Sequence, residues 1–440
     1  MLIRFRVQNF LSFKDEIEFS MIRGKTRRHE SHIISGGKSR HDIDILRAGV
    51  LYGANASGKS NMVKAIHFAR TLIQKGTEAR TLIPVKPFKL EKAYANKPSK
   101  FEFEFRQQAG NYLYGFELDE KTIHAEWLYE LRKTAKTLIF ERRTTADQRT
   151  VIEFGNIKFK DKQEEDFLHF TGMGTRPNQL FLRESIDRNI KYFVDAYNWF
   201  EALVIIFPET QYMGELVNLQ AEDTQNMVKY LTSFGTGICD FHLQNIAPEA
   251  ELQKVLGDAS SKIKAGESLR IHHVYGNRHQ LRQEYVVSKN ANQEVSVAKL
   301  MFKHKLAEGG EVLMDADEES DGTLRLMDLI PILYKTGKPH LFIIDELDRS
   351  LHPNLCYRLI EQFLGQQGNT SQMIVTTHES NLLDLKLLRR DEIWFAEKNA
   401  DGASTVYSLE EFTPRYDKDI QKGYLLGRFG AIPIIGKKSF

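Results

Sequence analysis

The chain has 440 residues, 41% of them hydrophobic, enough to fill two or three packed units. Its 61 basic and 59 acidic residues leave a net charge of +2, so no overall field draws it onto nucleic acid. No apolar run is long enough to span a bilayer, no signal peptide opens the chain, and Cys239 and Cys356 lack metal or redox spacing, so a cytoplasmic protein is expected.

In chain order, the basic stretch Arg23 to Arg28 comes first, followed by His29-Glu30-Ser31-His32, which lacks the four-residue His spacing of a zinc helix. Ala48-Gly49-Val50-Leu51-Tyr52 is a short apolar run that predicts a buried strand. It leads into Gly53-Ala54-Asn55-Ala56-Ser57-Gly58-Lys59-Ser60, a complete G-x-x-x-x-G-K-S phosphate loop. Glycines at both ends let the backbone wrap an anion with its N–H groups pointing inward, Lys59 brings a point charge to the β- and γ-phosphates, and the Ser60 hydroxyl can join the shell of Mg²⁺. The run Gly53 to Asn61 is therefore expected to cradle ATP. Met62, Val63, Ile66, Ala69, Leu72 and Ile73 then recur at helical spacing up to Gly76, giving the strand, loop and helix order that a phosphate site needs.

Residues 1–75 thus read as the first part of a nucleotide lobe. From 76 to 160 the chain alternates, as in Phe101-Glu102-Phe103-Glu104-Phe105 and Tyr112-Leu113-Tyr114-Gly115-Phe116, which predicts an antiparallel β subdomain. Residues 161–299 read as a helical insertion with a few strands. Ile190, Phe193, Tyr197, Phe200 and Val204 predict helix within a helical stretch reaching about residue 266, and strands return near Leu269-Arg270-Ile271 and Tyr285-Val286-Val287. The helical repeats are too short for a long coiled coil. The basic clusters Arg23 to Arg28, Arg132 to Lys136, Arg142-Arg143 and Arg389-Arg390 have acids nearby and read as solvated faces.

Residues 300–440 read as the second part of the nucleotide lobe. Asp315-Ala316-Asp317-Glu318-Glu319 fails as a calcium loop, because its sixth position is Ser320 and its twelfth Leu326. Ser320-Asp321-Gly322-Thr323 opens a helix and makes a second anion-binding helix start, with Pro331 expected to kink or shorten it. Leu341-Phe342-Ile343-Ile344-Asp345-Glu346 is an apolar strand ending in two acids. Asp345 is placed to hold Mg²⁺, and Glu346 to orient or deprotonate the water that attacks the γ-phosphate. Pro353 then starts a helix with Leu355, Leu359, Ile360 and Phe363 on one face, and Met373-Ile374-Val375-Thr376-Thr377-His378 is a further strand. In such a βαβ unit the two strands run parallel and close together, which brings His378 near Glu346 and within reach of the γ-phosphate. No Asn-Lys-x-Asp base-recognition run of a GTPase occurs.

With a phosphate loop containing Asn55, a Ser-x-Gly helix start, the Asp345-Glu346 strand end, Leu347-Asp348 directly after it and the strand-end His378, the chain resembles the ABC-type ATPases. The opening Ile3-Arg4-Phe5-Arg6-Val7-Gln8-Asn9-Phe10-Leu11-Ser12-Phe13 is similar to the first hairpin of their RecF, SMC and OLD branch. Runs such as Leu51-Tyr52-Gly53-Ala54-Asn55, Ser350-Leu351-His352-Pro353, Asp391-Glu392-Ile393-Trp394-Phe395 and Gly427-Arg428-Phe429-Gly430-Ala431-Ile432-Pro433 resemble the ATPases of abortive-infection and phage-defence loci, typified by RloA and AbiL-like proteins. The resemblance covers both ends of the chain and is thin between about residues 75 and 300. It implies an α/β, P-loop ABC-type head with a mixed parallel sheet, an antiparallel β subdomain and a helical insertion.

The resemblance also implies roles. Lys59 and Ser60 would bind phosphate and Mg²⁺, Asp345 would support the metal, Glu346 would be the catalytic base and His378 would sense the γ-phosphate. Ser320 and Gly322 would act in trans on ATP held by a second subunit, with Asp348 lining the same interface. The signature departs from Leu-Ser-Gly-Gly, because Glu319 precedes the serine and Asp321 fills the first glycine slot. No glutamine of a metal loop is assigned. The expected protein is an ATP-hydrolysing switch that closes as a homodimer or higher oligomer and controls a separately encoded effector in anti-phage defence. Only about sixty residues follow His378, so any nuclease is expected on another chain. The rival reading is a RecF-like repair ATPase that clamps DNA. A transporter subunit is disfavoured by the roughly 285 residues between Ser60 and Asp345.

Overall fold

Every residue of the strand Ala48–Tyr52 is buried, as suits a run without charged side chains, and it takes an interior place in a mixed sheet. The computed structural model describes residues 1–37, 42–108, 110–132, 135–155, 157–208, 221–246, 253, 256–257, 261, 263, 265, 268–275, 281–334, 339–366, 368–412 and 419–433. The chain divides into two units: Met1–Ile205, Pro339–Leu347 and Gln366–Phe440 make the first, and Ile206–Lys338 with Asp348–Gly365 the second.

In the first unit the mixed sheet runs Leu203–Ile206, Leu341–Ile344, Gln372–Thr377, Ala48–Tyr52, Ile393–Lys398, Ser404–Ser408 among the described residues. Its middle pairs are parallel, and Ser404–Ser408 is antiparallel to its neighbour at one edge. A second, antiparallel sheet has the order Thr150–Phe154, Lys136–Thr144, Ile123–Leu131, Gly110–Leu118, Ser99–Gln107, Leu2–Gln8, Ile17–Ser20. The alternation at Phe101, Phe103 and Phe105 puts all three rings inside. There Phe105 stacks on Trp199 with centroids 4.3 Å apart, Phe103 meets Phe200 at 5.3 Å, and Phe101 lies 5.2 Å from Phe68 of the helix Lys59–Lys75. The fully buried Gln372 amide joins the two sheets. Its Oε1 accepts from Leu2 N–H at 2.6 Å, and its Nε2 donates to the Leu2 and Leu46 carbonyls at 3.0 and 2.9 Å.

Two of the basic clusters expected to be solvated faces each have one buried member, while Arg143 is exposed as expected. Arg142 and Arg389 are buried because each neutralises a buried acid. Arg389 pairs with Asp391 at 2.7 Å and donates to the carbonyls of Thr26 and Arg28. Arg142 lies 3.7 Å from Glu126, whose carboxylate accepts from the N–H groups of Phe181 and Leu182 and from the Tyr114 hydroxyl. Burial raises the Glu126 pKa above the ordinary carboxylate value, and Arg142 with these donors offsets part of the rise.

The helical periodicity between Ile190 and Val204 resolves into a helix, Val194–Glu201, and a strand, Leu203–Ile206. The β-branched run Val204-Ile205-Ile206 suits a pleated surface better than a further helical turn. In the second unit the stretch expected to be helical to about 266 contains the helix Ala221–Ser233 and then the strand Ile238–Asn245. That strand pairs with Val295–Lys305, which also pairs with Leu281–Lys289 and Glu311–Met314, and Ser268–Tyr275 completes the antiparallel sheet. Leu256, Ile263, Ile271, Tyr285, Val287 and Val297 form a core there. The helix Asp321–Leu329 gives way to a 3₁₀ turn, Ile330–Leu333, where Pro331 removes the N–H that a continuing α-helix needs.

Candidate functional site

The helix Lys59–Lys75 begins directly after the loop that follows Ala48–Tyr52, and all six of its predicted apolar residues are buried. Gly58 has φ 110°, and a Cβ on it would stand 2.4 Å from the Ser404 Oγ. A Cβ on Gly53 would stand 2.4 Å from the Ala396 carbonyl oxygen. These glycines are thus imposed by the neighbouring strands as well as by an anion's approach. Ala56 also takes a left-handed conformation, φ 62°. The Lys59 side chain is 5% exposed and folds over the loop, its ammonium donating to the carbonyls of Gly53 at 2.8 Å and Ala54 at 3.1 Å. The His378 Nδ1 lies 3.4 Å from the same ammonium.

Asp345, 3% exposed, follows the strand Leu341–Ile344. Its Oδ1 accepts from the Ser60 hydroxyl at 3.1 Å and from the Thr376 hydroxyl at 2.5 Å. Thr376 Oγ1 in turn accepts from the Glu346 N–H at 2.9 Å, and this holds Glu346 in a left-handed backbone conformation, φ 48°. Glu346 is half-buried and His378 exposed. The strand register explains the meeting: Ile344 pairs with Val375 and Thr376 with Leu51, so all three strand ends open on one side of the sheet. Lys59 meets His378, and Ser60, next to Lys59 in sequence, enters a hydrogen-bonded group with Asp345, Thr376 and the Glu346 N–H.

Thr376 belongs to this group and no motif reading finds it. The available signal is its place two residues before His378 on the strand that divides the phosphate loop from the acids. Asn61 is turned elsewhere: its amide donates to Ser12 Oγ at 2.7 Å, which also accepts from Ser404 Oγ at 2.8 Å. Ser57 is buried, and its Oγ has no partner among the described residues. Loop N–H groups, an ammonium at the loop's mouth and a hydroxyl–carboxylate pair are a donor set that fits a nucleoside phosphate with a hard cation. Among the described residues there is no cluster of three or more His, Cys, Asp or Glu that would hold a metal alone.

Ser320 and Gly322 lie in the second unit. Ser320 caps the helix Asp321–Leu329: its hydroxyl accepts from Thr323 N–H at 3.0 Å and lies 2.9 Å from Thr323 Oγ1. A Cβ on Gly322 would come within 2.7 Å of the Ser350 carbonyl oxygen. Asp348 opens the turn to Ser350, itself at φ 61°, and its carbonyl accepts from Leu351 N–H at 3.2 Å.

No helix among the described residues is long and apolar enough to cross a membrane. No curated protein matches the chain. Among solved structures it is similar to an SMC head bound to the C-winged helix domain of ScpA, at 13% identity over 92% of this chain and 97% of that one, with a TM-score of 0.38. It is similar also to the SMC head domain from Thermotoga maritima (12% identity, 92% and 98% covered, TM-score 0.36). A third is the Smc head domain with an extended coiled coil bound to the C-terminal domain of ScpA, from Pyrococcus furiosus (14%, 93% and 97%, TM-score 0.37). The family model described as "AAA domain, putative AbiEii toxin, Type IV TA system" matches residues 50–384, from the strand before the phosphate loop to just beyond His378. The chain belongs to this AAA-domain family, and it is an ATP-binding protein that hydrolyses ATP.

Proposed function

We propose that the chain is a Mg²⁺-dependent ATP switch that closes as a dimer on ATP, reopens after hydrolysis and controls a separately encoded effector in anti-phage defence. The observation that carries the reading is the group in which Asp345 Oδ1 receives both the Ser60 and Thr376 hydroxyls while Glu346 hangs from Thr376. In it, Ser60 and Asp345 hold Mg²⁺, which when bound offsets charge on the phosphate oxygens. Lys59 binds the β- and γ-phosphates in place of the Gly53 and Ala54 carbonyls. Glu346 orients the attacking water and takes its proton, and His378 meets the γ-phosphate beside Lys59. Gly53 to Ser60 supply the phosphate cradle through their backbone. Ser320 and Gly322 reach the nucleotide of a second copy, which makes closure depend on ATP. The family description, which names a TA system, supports a partner encoded apart from this chain.

The test is Glu346→Gln, which keeps shape and removes the base. It should bind ATP, release phosphate at least ~100-fold more slowly, and elute as a dimer with ATP by sizing with light scattering. Ser320→Arg should bind ATP normally and stay monomeric. Turnover near that of the parent in the first variant, or ATP-driven dimers in the second, would remove those residues from the scheme.

A further inference from the structure

The motif Gly427 to Pro433 has no part in the nucleotide site, yet it builds one wall of a cavity in the first unit. The cavity, about 470 Å³, is lined by Glu397, Tyr407, Glu411, Phe412, Phe429 and Gly430. The rings are fixed in place. Phe412 meets Phe429 edge-on at 5.4 Å and Tyr407 at 5.8 Å, and Phe429 stacks on Phe395 at 5.8 Å. The Tyr407 hydroxyl lies 3.1 Å from Glu397 Oε2 and 2.8 Å from the Phe429 carbonyl oxygen. Burial, with the Glu397 carboxylate second, pushes the Tyr407 pKa up, so it stays a neutral donor. Gly430 is at φ 68°, and a Cβ there would come 2.6 Å from the Tyr407 hydroxyl oxygen and 2.7 Å from Glu397 Oε2. A side chain at that position would take up this corner of the cavity.

Two carboxylates therefore stand beside three aromatic rings, and neither forms an ion pair with any cation among the described residues. Ring faces and carboxylates attract the same kind of guest, an organic cation. Leu425 and Leu426, 60% and 62% exposed, follow Tyr424, whose ring stacks 5.6 Å from Phe395 in the same aromatic group. An exposed leucine pair offers nothing to a small free polycation and contact area to a protein. We propose that this cavity receives the guanidinium or ammonium group of a basic side chain on a protein partner, with Leu425 and Leu426 as the adjoining apolar contact.

The test uses saturation-transfer NMR on the full chain with three probes: a capped peptide bearing one arginine between leucines, the same peptide with neutral citrulline, and spermidine. The arginine peptide should give signal, with the citrulline peptide roughly fivefold weaker or less. Glu411 Oε1 accepts from Ser408 N–H at 2.9 Å, so Glu397→Gln with Glu411→Gln keeps an acceptor for that group and for the Tyr407 hydroxyl, and it should abolish the difference while ATP turnover is unchanged. Phe412→Leu should weaken the arginine signal and keep the apolar bulk. Equal signals from arginine and citrulline, or an unaltered preference in the double variant, would overturn the cation site. A spermidine signal as strong as the arginine peptide's would overturn the protein partner, and silence from all three probes would overturn both.

Discussion

Thr376 shows how much of the site rests on one hydroxyl. It donates to Asp345 and accepts from Glu346 N–H, so both acids are positioned through it. Thr376→Val preserves the shape and leaves a buried carboxylate and a backbone donor each short of a partner. The expected cost is ~1–3 kcal/mol of stability, read by urea denaturation, together with a fall in phosphate release. Lys59→Ala removes the ammonium over the loop and should weaken ATP binding by about 10- to 100-fold, measured by titration with a fluorescent nucleotide. The phosphate loop and the Asp345-Glu346 pair were legible because phosphate binding demands particular residues at fixed local spacing. The place of Thr376 was not, since it depends on which strands pair and in what register. Asn61 likewise sits beside the loop in sequence, and its amide bonds to Ser12, a partner that only folding brings there.

Among the elements, the helix Asp321–Leu329 has both its start and its packing determined by two residues. Ser320→Ala should cost about 1 kcal/mol through loss of the cap. Gly322→Val should cost more, roughly 1–3 kcal/mol, because the Ser350 carbonyl oxygen already stands 2.7 Å from where a Cβ would be. Denaturant midpoints for the two variants should fall in that order. Long, fully periodic elements such as Lys59–Lys75 could be read directly. The passage from Val194–Glu201 into Leu203–Ile206 could not, because a short helix and a following strand together kept apolar residues three or four apart. The strand Ile238–Asn245 was hidden for another reason: most of its residues are exposed, so no buried face marks it.

In the molecule as a whole, the two sheets of the first unit are held in part by the amide of Gln372, whose partner Leu2 is 370 positions away. Gln372→Leu would strand the Leu2 N–H and two carbonyls in a dry interior and should lower stability by about 2–4 kcal/mol, seen as a reduced melting temperature with near-native secondary structure. Sequence patterns announced three strands of the mixed sheet and the alternation of the antiparallel one, but nothing local announced that link. The mixed sheet has the same long reach. The strand that leads into the phosphate loop, Ala48–Tyr52, lies between Gln372–Thr377 and Ile393–Lys398. A ribosome that has just made the loop has therefore made neither of its flanking strands, and the nascent loop must wait through most of translation for its walls. Stalled or prematurely terminated products that stop short of the later strands should be inert toward ATP, and the ability to grip nucleotide should arrive abruptly, near the close of synthesis.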